Sequence, residues 1–396
     1  MRPTTPVPAT PAQVPQADAL RIVGVCALAS LLSAFGGSIL FVALPAIGAE
    51  FHAGTADLAR LGATLSVGSA IALPLAFAAD RAHRGRLAAL GIAGFSLAAL
   101  ATAASPGVSW LAGARLFAVC FETLVSAVAL AAALEAVGPD RRAQTAAFLA
   151  LSAGAGVALS VLGYPLVAPR WRLLYLAAAP GLLLAPLALG IPGRARGGPT
   201  GLGVLVAPPW RRRLLVLAAS SALGTVLYEP ANFFAVFFGS RSLGLTSVEL
   251  SLVLGASGVA AALGFVLGGA VSDRLGRRVP SVMLGLASAV LAAVSFSSSA
   301  PTYIGAGIAW SAVAGAAGPM VGAWIAELMP ARARVTAFTA TGVSGALGGV
   351  LGLQLVAALS GSLGLQRTIW VTAIVAGVGA VVLLALPETR GRPLPD

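Results

Sequence analysis

The stretch Gly269-Ala270-Val271-Ser272-Asp273-Arg274-Leu275-Gly276-Arg277-Arg278 decides how this chain is read. It is a short cationic turn with one carboxylate, set between two apolar runs. Each run is long enough to cross a hydrocarbon core as a helix, which takes about 20 residues. So short a connection makes the two helices antiparallel, and its arginines assign it to the cytoplasmic face. Gly269 and Gly276 permit close backbone approach and a tight turn. Asp273 stands where it can cap the next helix or pair with a neighbouring arginine.

Composition agrees with that reading. The 396 residues are 58% hydrophobic and 10% charged, with a mean hydropathy of +0.94, against roughly 25% charged in soluble domains. The fold class is therefore an all-α membrane protein. A net charge of +12 on a soluble protein would suggest nucleic acid or acidic lipid. In a lipid bilayer the location of the charge decides instead, and no nucleic-acid partner is expected. Twelve apolar runs lie at about 22–46, 58–79, 87–105, 108–134, 143–168, 172–190, 213–238, 248–271, 279–298, 302–326, 335–360 and 368–386. All 25 basic residues are arginine: nineteen fall in one alternate set of loops, five in the other, and Arg115 within a run. That asymmetry places both termini in the cytoplasm and the chain in the cell's inner membrane.

The organisation follows from the same map. Residues 1–20 read as a disordered tail, 21–190 as a first six-helix bundle, 213–388 as a second, and 389–396 as a cytoplasmic tail. Between the bundles, 191–212 is a Gly/Pro-rich basic linker on the cytoplasmic surface. The run Ile22–Ile47 is too long for a cleaved signal peptide. Cys26 and Cys120 both fall in apolar runs, so neither a disulfide framework nor a metal site is expected.

The halves repeat. Asp80-Arg81-Ala-His83-Arg84-Gly-Arg86 follows the second run as Asp273 and its arginines follow the eighth, 193 positions later. Glu135, Pro139, Arg142 and Thr145 echo Glu327, Pro330, Arg334 and Thr336, with the glutamates 192 apart. The first copy is degraded, with Ala76 and His83 where the second has Gly269 and Gly276.

These landmarks carry a resemblance. The turn around Asp273 is similar to the signature loop between helices 8 and 9 of the major facilitator superfamily, with Gly269, Asp273, Arg274, Gly276, Arg277 and Arg278 all filled. The resemblance implies twelve helices in two pseudo-symmetric bundles about an axis along the membrane normal. It also implies a gating role for the loops that carry Asp80, Arg81, Glu327 and Arg334. Ser38–Ile47 resembles the first helix of multidrug-type members, with Gly36 where many of those carry an aspartate. Arg115 resembles the arginine of the family's fourth-helix motif. Glu327-Leu-Met-Pro330 and Pro387-Glu388-Thr389-Arg390-Gly391-Arg392 are similar to elements of sugar and organic-acid uptake branches.

Charge inside a span costs at least about 2.5–3.5 kcal/mol and calls for a function. Arg115, Glu122 and Glu229 are the three such residues. Arg115 and Glu122 share a face of span 4 but stand about 10 Å apart along the axis, too far for a close pair without bending. A carboxyl at mid-span can load and release a proton, which makes Glu122 a candidate carrier, with Glu229 a second and Arg115 their electrostatic partner. Glu229 follows Tyr228 and precedes Pro230 and Asn232, so span 7 is expected to kink there and open a polar site. Asn232 is the only asparagine in the chain, and Gln354 is the only glutamine well inside a span. With Tyr228, Tyr164 and Glu229 they are the candidate cavity residues. So few directional groups suit an amphipathic, apolar or cationic solute better than a sugar.

No catalytic triad, nucleotide loop or clustered metal ligands occur, so no enzyme activity and no cofactor are expected. The expected function is alternating-access transport of a small organic molecule, proton-coupled and outward. The alternatives are proton-coupled uptake and a non-transporting membrane receptor on the same scaffold.

Overall fold

The computed structural model describes residues 16–78, 83–137, 141–191, 207–208, 210–330 and 333–390. Every regular element among them is helical. In chain order these are α1 Gln16–Glu50, α2 Thr55–Ala78, α3 Arg84–Ala103, α4 Val108–Ala136, α5 Arg142–Val167 and α6 Arg172–Ala188. The second half holds α7 Trp210–Leu243, α8 Ser247–Leu275, α9 Arg278–Ser295 and α10 Ala300–Leu328. The run Arg334–Val382 follows, divided at Gly364 (φ 77°) into α11, 334–363, and α12, 365–382. Only a residue without a Cβ takes that backbone conformation without strain.

Nine stretches of the described residues are long and apolar enough to span a bilayer. The last of them is two spans joined at Gly364, and α2 and the shorter α6 complete twelve. α6 passes through a 3₁₀ segment, Ala179–Leu184, which contains Pro180 and is followed by Pro186; neither proline can donate to an α ladder. The α8–α10 seam shows how small residues bring spans together. A Cβ at Gly264, Gly268 or Gly315 would run into the backbone of the facing helix.

The buried apolar residues divide tellingly. Away from the arginine-rich loops they form one cluster shared by both halves, from Phe35–Ile47 and Leu58–Ala63 to Phe233–Phe238 and Leu353. Toward those loops they separate into two. One belongs to the first half (Ile22, Ile92, Val125, Ala133) and the other to the second (Leu217, Trp324, Leu328, Leu386). The halves are thus joined at one end and parted at the other.

At the arginine-rich end the repeat is visible as matched ion pairs. Arg84 at the start of α3 meets Glu135 at the end of α4, and Arg277 meets Glu327 at the end of α10, Nη2 to Oε1 3.0 Å. The second copy adds a glycine and an acid to its ion pair. Gly276 adopts φ 94°, and a Cβ on it would lie 2.7 Å from the Glu388 carboxylate. Its glycine serves both the turn and the approach of that acid. Gly269 is different: it sits inside α8 with no described atom within 4 Å of a Cβ there, so the tight turn rests on Gly276.

Candidate functional site

Between the parted halves lies a cavity of about 740 Å³. Its lining includes Ser30, Ser33 and Gly37 of α1, Ser66 of α2, Arg115, Glu122 and Ser126 of α4, Ala150 of α5, and Glu229 and Phe233 of α7. The lining residues of α4 run on to Leu130 and those of α5 begin at Leu149, so the cavity opens toward the arginine-rich loops. The opposite end is shut. Phe41 and Phe233 meet edge to face, centroids 5.8 Å apart, across α1 and α7. Ser251 Oγ of α8 donates to Val161 O of α5 at 2.6 Å. Gly62 of α2 faces Leu353 and Phe233, each 3.1 Å from where a Cβ would stand.

The structure brings Arg115, Glu122 and Glu229 to this one cavity. Arg115 Nη1 lies 3.3 Å from Glu122 Oε1, with the arginine side chain 2% and the glutamate 15% exposed. The expected gap of about two turns is closed by the length of the two side chains, which reach toward each other along α4. The guanidinium carbon also lies 5.6 Å from the Tyr175 ring centroid. The Glu122 carboxylate rests against α1, where Cβ atoms at Gly36 and Gly37 would lie 3.6 and 3.3 Å from its oxygens. The missing side chains of α1 make the room that this carboxylate fills.

Glu229 enters from the opposite wall, on α7. Its Cγ is 2.6 Å from a Cβ built on Gly349 of α11, and no described residue gives its carboxylate a hydrogen bond or ion pair. α7 does not break at Pro230: the helix is continuous over Trp210–Leu243. The carbonyl that proline deprives of a partner, Val226 O, is covered by Gly352 of α11, where a Cβ could not fit. Close helix packing therefore absorbs the lost bond that was expected to open a polar site.

The remaining candidates disperse. Tyr228, next to Glu229, lines a different cavity; Asn232 Nδ2 donates to its own helix at Tyr228 O, 2.8 Å. Gln354 is exposed on α11, and Tyr164 is 7% exposed beside a small void at the shut end. Asp80 and Arg81 lie outside the described residues, as does the side chain of Asp273.

At the α8–α9 loop, N–H groups at the start of α9 are taken by Glu388. Its carboxylate accepts the backbone N–H of Arg277 at 2.9 Å and of Arg278 at 2.9 Å, two donors a helix start leaves unpaired. Thr389 and Arg390 add their own N–H groups. Partial burial works against the charge, but the four N–H donors outweigh it and hold the Glu388 carboxyl down to about 2. Trp324 Nε1 donates to Pro387 O, and Thr389 Oγ1 to Glu327. This strap, Arg84 and the glycine pair of α1 are what sequence reading missed. The repeat offset was the available signal for Arg84, since it sits 193 positions before Arg277.

Twelve spans, a central cleft open at one end and titratable groups on both of its walls define a multi-pass membrane transporter, not an enzyme. The chain belongs to the Major Facilitator Superfamily, whose profile matches residues 26–241 and again 214–396. Solved structures share the fold. A bacterial homologue of the human lysosomal transporter Spinster, inward-facing and occupied, superposes with a TM-score of 0.76 at 16% identity, over 91% of this chain and 95% of that one. The inward-open xylose transporter XylE from E. coli gives 0.74 at 15%, over 95% and 98%. No curated protein matches the chain by sequence.

Proposed function

We propose that this transporter exports a small amphipathic or cationic organic solute in exchange for protons, from a cell inner membrane with both termini cytoplasmic. One observation carries the reading: a single cavity holds a carboxylate from each half, one ion-paired and one not. Glu229 is free to meet a cation, while Glu122 is already neutralised by Arg115. A proton arriving at Glu122 removes the charge that Arg115 holds and frees the guanidinium for the other wall. Each protonation state thus favours a different arrangement of the two halves. The excess of arginine at the open end supports a cytoplasmic assignment for that face, so this conformation accepts solute from inside.

The proposed gates of the second half are the loops that carry Asp273, Arg274, Arg277 and Arg278, and Glu327 and Arg334, at the same arginine-rich end. Uptake is the second reading, favoured by the Pro387–Arg390 strap, whose sequence resembles uptake branches. Ethidium flux in proteoliposomes under pH gradients of either sign separates the two. Export predicts ethidium movement against the proton flow, and uptake predicts movement with it. Glu122→Gln should abolish concentration against a gradient while leaving counterflow exchange. Wild-type accumulation by that variant would show that Glu122 only packs.

A further inference from the structure

A second cavity, of about 500 Å³, lies wholly within the second half, between α7, α9, α10, α11 and α12. That volume suits a small organic ligand. No acidic or basic residue lines it; its polar groups are hydroxyls and aromatic heteroatoms. Tyr228 and Trp310 meet edge to face at 5.9 Å, and Trp310 Nε1 donates to Ser288 Oγ at 3.0 Å. The Ser288 hydroxyl hydrogen is thereby left to donate elsewhere. Ser281 is 3% exposed, and its Oγ is buried without a hydrogen-bond partner. A buried hydroxyl left unpaired is unfavourable, and a ligand acceptor would satisfy it.

The repeat explains why the space exists. Glu122 of α4 corresponds, at the 192-position offset of Glu135 and Glu327, to Ala314 of α10, and Arg115 corresponds to Gly307. Where the first half carries an ion pair, the second has an alanine on the cavity wall. We propose that this cavity is a second binding site, selective for an uncharged, ring-bearing solute with one or two hydrogen-bonding groups. The ring stacks against Tyr228 and Trp310, and the polar groups reach Ser281 and Ser288. A charged solute is excluded because nothing there would pair with it. Tyr228 and Glu229 are neighbours on α7, so the one helix presents a neutral site to one side and an acidic site to the other.

The test uses the purified full-length protein and 2-naphthol, a neutral aromatic alcohol, with binding followed by equilibrium dialysis against the detergent background. Saturable binding is expected, weakened about 5- to 10-fold by Ser281→Ala through the lost hydrogen bond. Ala314→Leu, which fills the space, should weaken it at least about 10-fold. Glu229→Gln should leave it within about twofold. Melting temperatures report whether each variant is folded, and if Ala314→Leu is not, Ser281→Ala decides. Non-saturable binding, or affinity unchanged by Ser281→Ala, overturns the proposal. So does loss of binding in Glu229→Gln, which would place the probe in the acidic cavity. The assay needs neither a proton gradient nor a cationic solute, so it stands apart from the export reading.

Discussion

α4 and α10 occupy the same place in the repeat and are built to opposite ends. Both finish at the arginine-rich face with a glutamate that holds the arginine at the start of the preceding helix, Glu135 with Arg84 and Glu327 with Arg277. Thirteen and twenty residues further in, α4 carries a charge pair against the central cavity, whereas α10 at those levels has Ala314, which lines a neutral one, and Gly307. Duplication has kept the mechanical parts at the membrane surface and divided the chemistry of the interior. Of this matched pair of helices, α4 is equipped to handle charge and α10 to pack and to shelter uncharged groups.

The comparison breaks most visibly if the charge of α4 is left unbalanced. Arg115→Met strands Glu122, and removing one member of a buried pair costs about 3–5 kcal/mol. Thermal unfolding in detergent should show a large loss of stability, mostly recovered in the double variant with Glu122→Gln. If Arg115→Met alone melts like wild type, the pair is not an electrostatic unit. The reciprocal change transplants the chemistry. Ala314→Glu puts a lone acid in α10, a penalty of about 2.5–3.5 kcal/mol on insertion scales. Gly307→Arg should restore part of the yield of inserted protein, since no described atom lies within 4 Å of a Cβ at Gly307. Failure of the second arginine to help would mean the two helices differ in more than these two residues.

A smaller effect tests the lone acid of α7. Glu229→Gln should weaken ethidium binding about 10-fold, or about 1.4 kcal/mol, while leaving melting nearly unchanged. Unaltered ethidium affinity would remove Glu229 from the solute site. The smallest effect belongs to the strap of the second half. Glu388→Gln should lower the melting temperature by about 1–2 °C at neutral pH, since solvent screens much of an exposed charge. The sign follows from the lowered carboxyl. Its contribution is complete above the unfolded value of about 4.3 and fades as pH falls toward the folded value of about 2. The difference between wild type and variant should therefore shrink in acid. A constant difference would mean that Glu388 acts through packing.

The bundle was legible because hydropathy is a property of single residues summed along the chain. Each of the twelve apolar runs read from sequence corresponds to a helix, and Gly276 takes the positive φ its place in the turn required. The site was legible in its charges but not in its contacts. Axial spacing alone parted Arg115 from Glu122, since it ignores the reach of long side chains. Pro230 announced a break that the glycine face of α11 makes unnecessary, a tertiary effect that α7 does not encode. Glu388 could not be assigned to the α8–α9 loop from its own surroundings, because that meeting depends on how α8, α10 and α12 stack. The notable void of the second half is likewise written as small residues on five separate helices.

The strap also bears on the order in which this protein is made. Glu388 lies 111 positions after Arg277, whose N–H it accepts. During synthesis the α8–α9 loop and α10 are therefore in the membrane before the residues that clasp them exist. Before then Arg277 already meets Ser272 of α8 and Glu327 of α10. Completion of the loop is a late event in biogenesis, set by translation of residues 387–390. A premature stop just ahead of Pro387 would leave all twelve spans in place and the clasp unmade.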